Sequence, residues 1–177
     1  LLKDTIFFKI AFPESLGWAP GQGGLFIPNA KIMSVFIVIA MVIIYSKLVD
    51  MFERHKLFYI VAGFYSLIFA GCTGILVLRE LYGDIVLGRT VLAAMGWTSY
   101  FGIESFGSIM VPLFWSFCIS MTDSESAKVG FPLILSGAQI GAVGGSALMI
   151  LASSFGRVWP IYLLATVCIL MVIVLIN

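Results

Sequence analysis

Long apolar stretches alternate with short polar connectors along this chain. Residues 32–46 carry no charge, and comparable apolar stretches follow up to the last residue. A helix needs about 20 mostly apolar residues to cross the roughly 30 Å hydrocarbon core, because each residue rises about 1.5 Å. The pattern therefore predicts five membrane-spanning helices, at about 28–49, 57–78, 95–121, 125–153 and 158–177.

The connectors have the composition of turns and helix ends. Residues 13–28 hold three Pro and four Gly, which favours turns over a regular span. Residues 85–94 precede the third span and are expected near the membrane interface. The sequence Thr-Asp-Ser-Glu at 122–125 resembles a capping box, so we expect Thr122 to cap the helix that begins at Glu125.

Composition narrows the class of protein. Apolar residues make up 61% of the chain and charged residues 11%, whereas soluble domains average roughly 45–50% and about 25%. The formal net charge is +1, so no charged field attracts nucleic acid. We expect one all-α polytopic membrane domain over residues 1–177, belonging to a longer protein. The single histidine, His55, lies in a charged connector, and the three cysteines match no metal pattern, so no enzyme activity, metal or cofactor is expected.

Three glycines in the fourth span recur every four residues: Gly137, Gly141 and Gly145. Small residues at this spacing let two helix backbones approach closely, which gives dispersion contacts where lipid supplies no hydrophobic drive. We therefore expect these glycines to pack against a neighbouring helix. Structural packing within one bundle and a sliding surface in a moving transporter are both compatible with this pattern.

Two charges lie within the apolar spans, Lys31 and Glu104. Lys31 precedes the connector residue Asp50 by 19 residues, and Glu104 precedes Asp123 by the same number, which predicts similar depths. Charges in a membrane cost about 2.5–3.5 kcal/mol on insertion scales and normally face a bundle interior or a wet cavity. The alternatives are that Lys31 extends to the interface and that Glu104 makes a structural hydrogen bond.

Several blocks of sequence resemble the ATP/ADP antiporter family, the nucleotide transporters of plastids and obligate intracellular bacteria and parasites. They read LLKDT at 1–5, IPNAK at 27–31, KLFYIV at 56–61, and IESFGSIMVPLFWSFCISMT-DSESAKVGFPLILSGAQIG at 103–141. The blocks follow in order along nearly the whole chain. The Glu, Gly-Ser, Phe-Trp and Ala-Lys pattern of the last block is the most specific.

The resemblance implies a fold similar to the major facilitator superfamily, with about twelve helices in two halves. This chain would then be the N-terminal half, from the end of helix 1 through helices 2 to 6. It implies exchange of ATP and ADP by alternating access, with partners that include the lipid bilayer, the C-terminal half and possible further membrane subunits. A plastid membrane or a bacterial inner membrane is the implied location.

The resemblance also implies substrate-binding residues. The family's intramembrane Lys and Glu fall on Lys31 and Glu104, and a family Asn corresponds to Gln139. Lys3 and Asp4 follow the end of helix 1 and are expected to pair locally or to face the same cavity. Departures at Ile6-Phe7 and at Ser105-Phe106 motivate two alternatives, a relative that carries another solute and a non-transporting structural subunit of a larger membrane complex.

Overall fold

The computed structural model describes residues 4, 6, 10–154 and 157–176 of the 177-residue chain. Within these residues no strand occurs, and the α-helices are α1 (Gln22–Met51), α2 (Arg54–Tyr82), α3 (Asp84–Met121), α4 (Ser124–Ser154) and α5 (Trp159–Ile176). Helices α1 to α4 are long and apolar enough to cross a membrane, whereas α5 is an apolar helix of 18 residues. The described chain therefore has the architecture of an all-α membrane protein.

Helix α2 occupies the centre of the bundle, because it packs against both α3 and α5, and α3 in turn packs against α1. An aromatic core joins the three central helices. The ring of Phe69 on α2 lies 5.6 Å from Phe106 on α3 and 6.0 Å from Tyr162 on α5, both with edge-on geometry. Edge-to-face pairs of this kind stabilise a core beyond the area they bury.

The backbones of α2 and α3 approach closely at Gly102. A Cβ atom at this position would lie 3.3 Å from the Cγ2 atom of Ile68, which is tighter than an ordinary van der Waals contact. By contrast, a Cβ atom at Gly107, on the same helix, would meet no described atom within 4 Å. Gly102 therefore allows a close helix crossing, whereas Gly107 does not serve this purpose.

We expect Gly102→Leu to lower the free energy of unfolding by about 1–3 kcal/mol, because the larger side chain overpacks the α2–α3 contact. Gly107→Leu is the matched control, since both substitutions gain the same helix propensity. Reversible unfolding in mixed micelles measures both variants. Equal effects of the two substitutions would show that the α2–α3 crossing is looser than described.

Helices α2 and α3 are joined by one residue, Gly83, whose φ of 81° favours glycine. Gly88 interrupts α3 with a φ of 74° and a ψ of 162°, so the helix is kinked there. Residues 85–94, which we expected near the interface, thus belong mostly to the same helix as the span. The sequence pattern missed this continuity because Arg89 ends the charge-free stretch without ending the helix.

The cap of α4 differs from the predicted capping box. The helix begins at Ser124, so the capping residue is Asp123, whose carboxylate accepts hydrogen bonds from the side chain and backbone of Ser126. These bonds hold the pKa of the Asp123 carboxyl below its usual value. Thr122 instead donates its hydroxyl to the carbonyl of Cys118 at 2.7 Å. Asp and Thr are both favourable N-cap residues, so the sequence spacing alone could not distinguish Asp123 from Thr122 as the cap.

Helix α1 begins earlier than predicted, at Gln22, and includes Pro28. The glycine- and proline-rich connector is therefore shorter than the 13–28 segment, and a 3₁₀ turn at Glu14–Leu16 occupies part of it. Pro28 lies in the second turn of α1, and helices in membranes tolerate such a residue because local adjustments satisfy the freed carbonyl.

Helix α4 diverges from the rest of the bundle. Near the start of α4, the Phe131 ring lies 5.4 Å from the Trp115 ring on α3. Farther along, α4 packs principally against α5. An apolar cavity of about 550 Å³ separates α4 from α2 and α3. A two-residue link joins α3 to α4, so the two helices are close at that end.

The expected packing of the glycine repeat is not met within the described residues. Gly137, Gly141 and Gly145 are exposed, and a Cβ atom on any of them would meet no described atom within 4 Å. The physical reason is that α4 diverges from α2 and α3, so no described atom comes close to these three glycines. Packing against a helix from outside these residues stays a prediction.

Candidate functional site

The two helices that carry the intramembrane charges pack against each other. Ala30 of α1 and Tyr100 of α3 are both fully buried and belong to one apolar cluster. Because α2 runs between them in sequence as a single antiparallel helix, α1 and α3 run in the same direction. The two charges therefore stand on neighbouring, parallel helices.

Lys31 follows the buried Ala30 and is itself exposed. Its backbone carbonyl accepts a 2.8 Å hydrogen bond from the hydroxyl of the buried Ser34. Lys31 lies 20 residues before Met51, the last residue of α1. The side chain thus projects beside the α1–α3 contact rather than into it.

Glu104 is half-buried one turn beyond Tyr100 on α3. It lies 17 residues before Met121, the last residue of α3, so its Cα and that of Lys31 differ in depth by about 5 Å when measured from the helix ends. Open space beside Gly107, one turn farther along α3, leaves room next to Glu104. The two charges are at similar depth, while their location in one cavity stays a prediction.

The other expected site residues are less closely associated with this pair. Asp4 is half-buried, whereas Lys3 lies outside the described residues. Gln139 is exposed on α4, which packs principally against α5. A site that includes Gln139 together with Lys31 and Glu104 is therefore still a prediction.

An aromatic cluster on α1, α3 and the preceding turn was missed by the sequence analysis. The Phe26 ring lies 6.2 Å from Trp18 and 6.4 Å from Trp97, and the Trp97 ring lies 5.4 Å from Phe101. The guanidinium carbon of Arg89 lies 3.6 Å from the centroid of Trp18. We name the four rings of Trp18, Phe26, Trp97 and Phe101 the aromatic track. The spacing of Trp97 and Phe101 by four residues was the available signal.

A polar network fastens one end of the bundle. Arg79 at the end of α2 binds both carboxylate oxygens of Asp84 at the start of α3, and Ser15 donates a 2.9 Å hydrogen bond to the same carboxylate. Glu80 accepts a 2.6 Å hydrogen bond from the Trp159 indole and pairs with Arg157 at 2.9 Å. A cavity of about 350 Å³ lies among these side chains, whose charges balance.

We expect Asp84→Ala to lower the free energy of unfolding by roughly 1 kcal/mol, because it removes a partly buried, bidentate ion pair and a hydroxyl hydrogen bond. Glu53→Ala is the control. It breaks a pair with Lys56 in which both side chains are largely exposed, and such pairs contribute little. Thermal unfolding in detergent compares the two variants, and an equal shift in both would contradict a stabilising role for the network.

No group of three or more His, Cys, Asp or Glu side chains that could hold a metal ion occurs in the described ranges. Comparison with protein-family models, with curated proteins and with solved structures found no match to this chain. Membership of the ATP/ADP antiporter family is therefore an expectation from the sequence alone.

Proposed function

We propose that this chain is part of a membrane transporter that exchanges ATP and ADP by alternating access. The observation that carries the proposal is the presence of Lys31 and Glu104 at similar depth on two packed, parallel helices. Charges in a membrane are costly and usually serve substrate or ion pathways. The resemblance of residues 103–141 to the antiporter family adds the substrate class.

The chemistry of the pair suits an anionic substrate. The Lys31 ammonium attracts phosphate as a point charge, and this attraction is stronger in a low-dielectric cavity than in water. The Glu104 carboxylate balances Lys31 when the site is empty and releases it when the substrate arrives. Substrate then binds between two halves of a bundle similar to the major facilitator superfamily.

Large apolar surfaces support the view that further helices complete the bundle. Helices α1 and α4 bury only a small part of their apolar segments within the described residues. Under this proposal a C-terminal half covers part of these surfaces and supplies the other side of the substrate site. A plastid membrane or a bacterial inner membrane is the proposed location, from the sequence resemblance.

Counter-exchange in proteoliposomes tests this function. The full-length protein is reconstituted into vesicles preloaded with ADP, and uptake of labelled ATP is measured. We expect uptake that depends on internal ADP and is absent from vesicles loaded with buffer alone. Folded protein that shows no ADP-dependent uptake would contradict the proposal.

A structural subunit is the second candidate, and the glycine surface of α4 favours it. Gly137, Gly141 and Gly145 present an exposed surface on which another helix backbone could pack closely. Co-purification with a larger membrane complex, together with absence of exchange, would support this function. A relative that carries another solute would instead show uptake that ATP and ADP fail to inhibit.

A further inference from the structure

The aromatic track continues toward the level of the intramembrane charges. Arg89 stacks on Trp18 at the end of the bundle that carries the polar network, and Phe26 connects Trp18 to Trp97. The last ring pair, Trp97 and Phe101, has an interplanar angle of 31°. The planes of these two rings are the closest to parallel in the track, and both side chains are half-buried.

Glu104 shares a face of α3 with this ring pair. Residues 97, 101 and 104 follow the i, i+4, i+7 spacing of one helical stripe. Trp97 and Glu104 are separated by about 10 Å along the helix axis. Lys31 lies on the packed helix α1, where the preceding Ala30 is buried in the same apolar cluster as Tyr100. Tyr100 lies between Trp97 and Glu104 in sequence.

We propose that Trp97 and Phe101 form a stacking platform for the planar base of a nucleotide whose phosphates bind at Lys31. This inference rests on the proposed function and adds how the site distinguishes a nucleotide from other phosphorylated anions. Base-aromatic stacking tolerates any base because every base has a π face, so the platform selects for the presence of a base. Arg89, which stacks on Trp18 at the end of the bundle, is a second cation in addition to Lys31.

Apolar packing accounts for the fully buried members of the cluster. Ala11, Phe12 and Ala30 are buried and have a packing role. Trp97 and Phe101, however, retain accessible surface between the α1 contact and the exposed residues Ala94 and Thr98. An indole and a phenyl ring at this position suit a planar ligand, and the Lys31 ammonium on the packed helix α1 suits its charged group.

Two ligands separate the base from the phosphates. Binding of ATP and of inorganic triphosphate to the full-length protein in nanodiscs is measured by calorimetry. We expect the wild-type protein to bind ATP at least about ten-fold more tightly than triphosphate. Trp97→Leu and Phe101→Leu should each remove about ten-fold of ATP affinity and leave triphosphate affinity unchanged.

Trp115→Leu is the matched control, because Trp115 is also half-buried on α3 but lies outside the aromatic track. It should change neither affinity by more than about two-fold. Retained triphosphate binding verifies that the variants fold, and Trp97→Phe should recover much of the ATP affinity. Equal wild-type affinity for the two ligands would overturn the platform while leaving nucleotide transport intact. Absence of binding to both would contradict the platform and the proposed function together.

Discussion

Glu104→Gln and Lys31→Ala should each abolish ATP uptake by ADP-loaded proteoliposomes while leaving membrane insertion intact. Loss of the Lys31 ammonium removes the cation that binds phosphate, where low dielectric makes the attraction strong. Loss of the Glu104 carboxylate leaves Lys31 without its balancing charge, or prevents the transition between the two states. We expect exchange to fall at least about 100-fold in both variants, which corresponds to about 2.7 kcal/mol.

The controls are Glu125→Gln and Lys128→Ala, which make the same chemical changes at exposed positions at the start of α4. Both should retain wild-type exchange. Uptake that survives substitution of both Lys31 and Glu104 would exclude these residues from the site. A loss of uptake in the controls would point instead to a general effect of surface charge.

Phe69→Ala should cause the largest loss of stability, about 3–5 kcal/mol of the free energy of unfolding. The Phe69 side chain is 4% exposed and contacts rings of α2, α3 and α5, so its removal leaves a cavity where three helices meet. Reversible denaturation of the protein in mixed micelles by added SDS gives the measurement.

Phe64→Ala is the matched control on the same helix, because the Phe64 side chain is 52% exposed. It removes the same atoms from a surface position, where lipid or detergent fills the space. We expect a loss below about 1 kcal/mol. A comparable loss in both variants would indicate that the aromatic core does not hold α2, α3 and α5 together.

The helical spans could be predicted from sequence because the hydrocarbon core imposes a length on each apolar segment. The positions of the five spans follow from that rule, and all five are helical. The helix ends were less predictable where Gly and Pro residues, which favour turns, lie within or beside an apolar segment. Gln22 begins α1 within a segment rich in Gly and Pro, and Gly88 kinks α3 without ending it.

Packing between helices was harder to predict than their existence. The spacing of Gly137, Gly141 and Gly145 identifies a flat surface but does not say which helix covers it, and α4 turns out to diverge from α2 and α3. The aromatic track joins rings that are distant in sequence, so the helical periodicity of apolar residues could not reveal it. Lys31 and Glu104 were identifiable because a charge in an apolar span is conspicuous in any sequence.

The length of α3 has a consequence for the bilayer that surrounds it. From Arg89 to Met121 the helix runs for 33 residues, or about 50 Å. Even a tilt of about 40°, at the steep end of the usual range, leaves about 38 Å along the membrane normal, against roughly 30 Å of hydrocarbon. Apolar side chains near its end, Ile119 and Met121, then reach the headgroup layer unless the bilayer thickens around the protein. Lipids with longer acyl chains relieve this mismatch. The protein should therefore be more stable in a thicker membrane than in a thinner one.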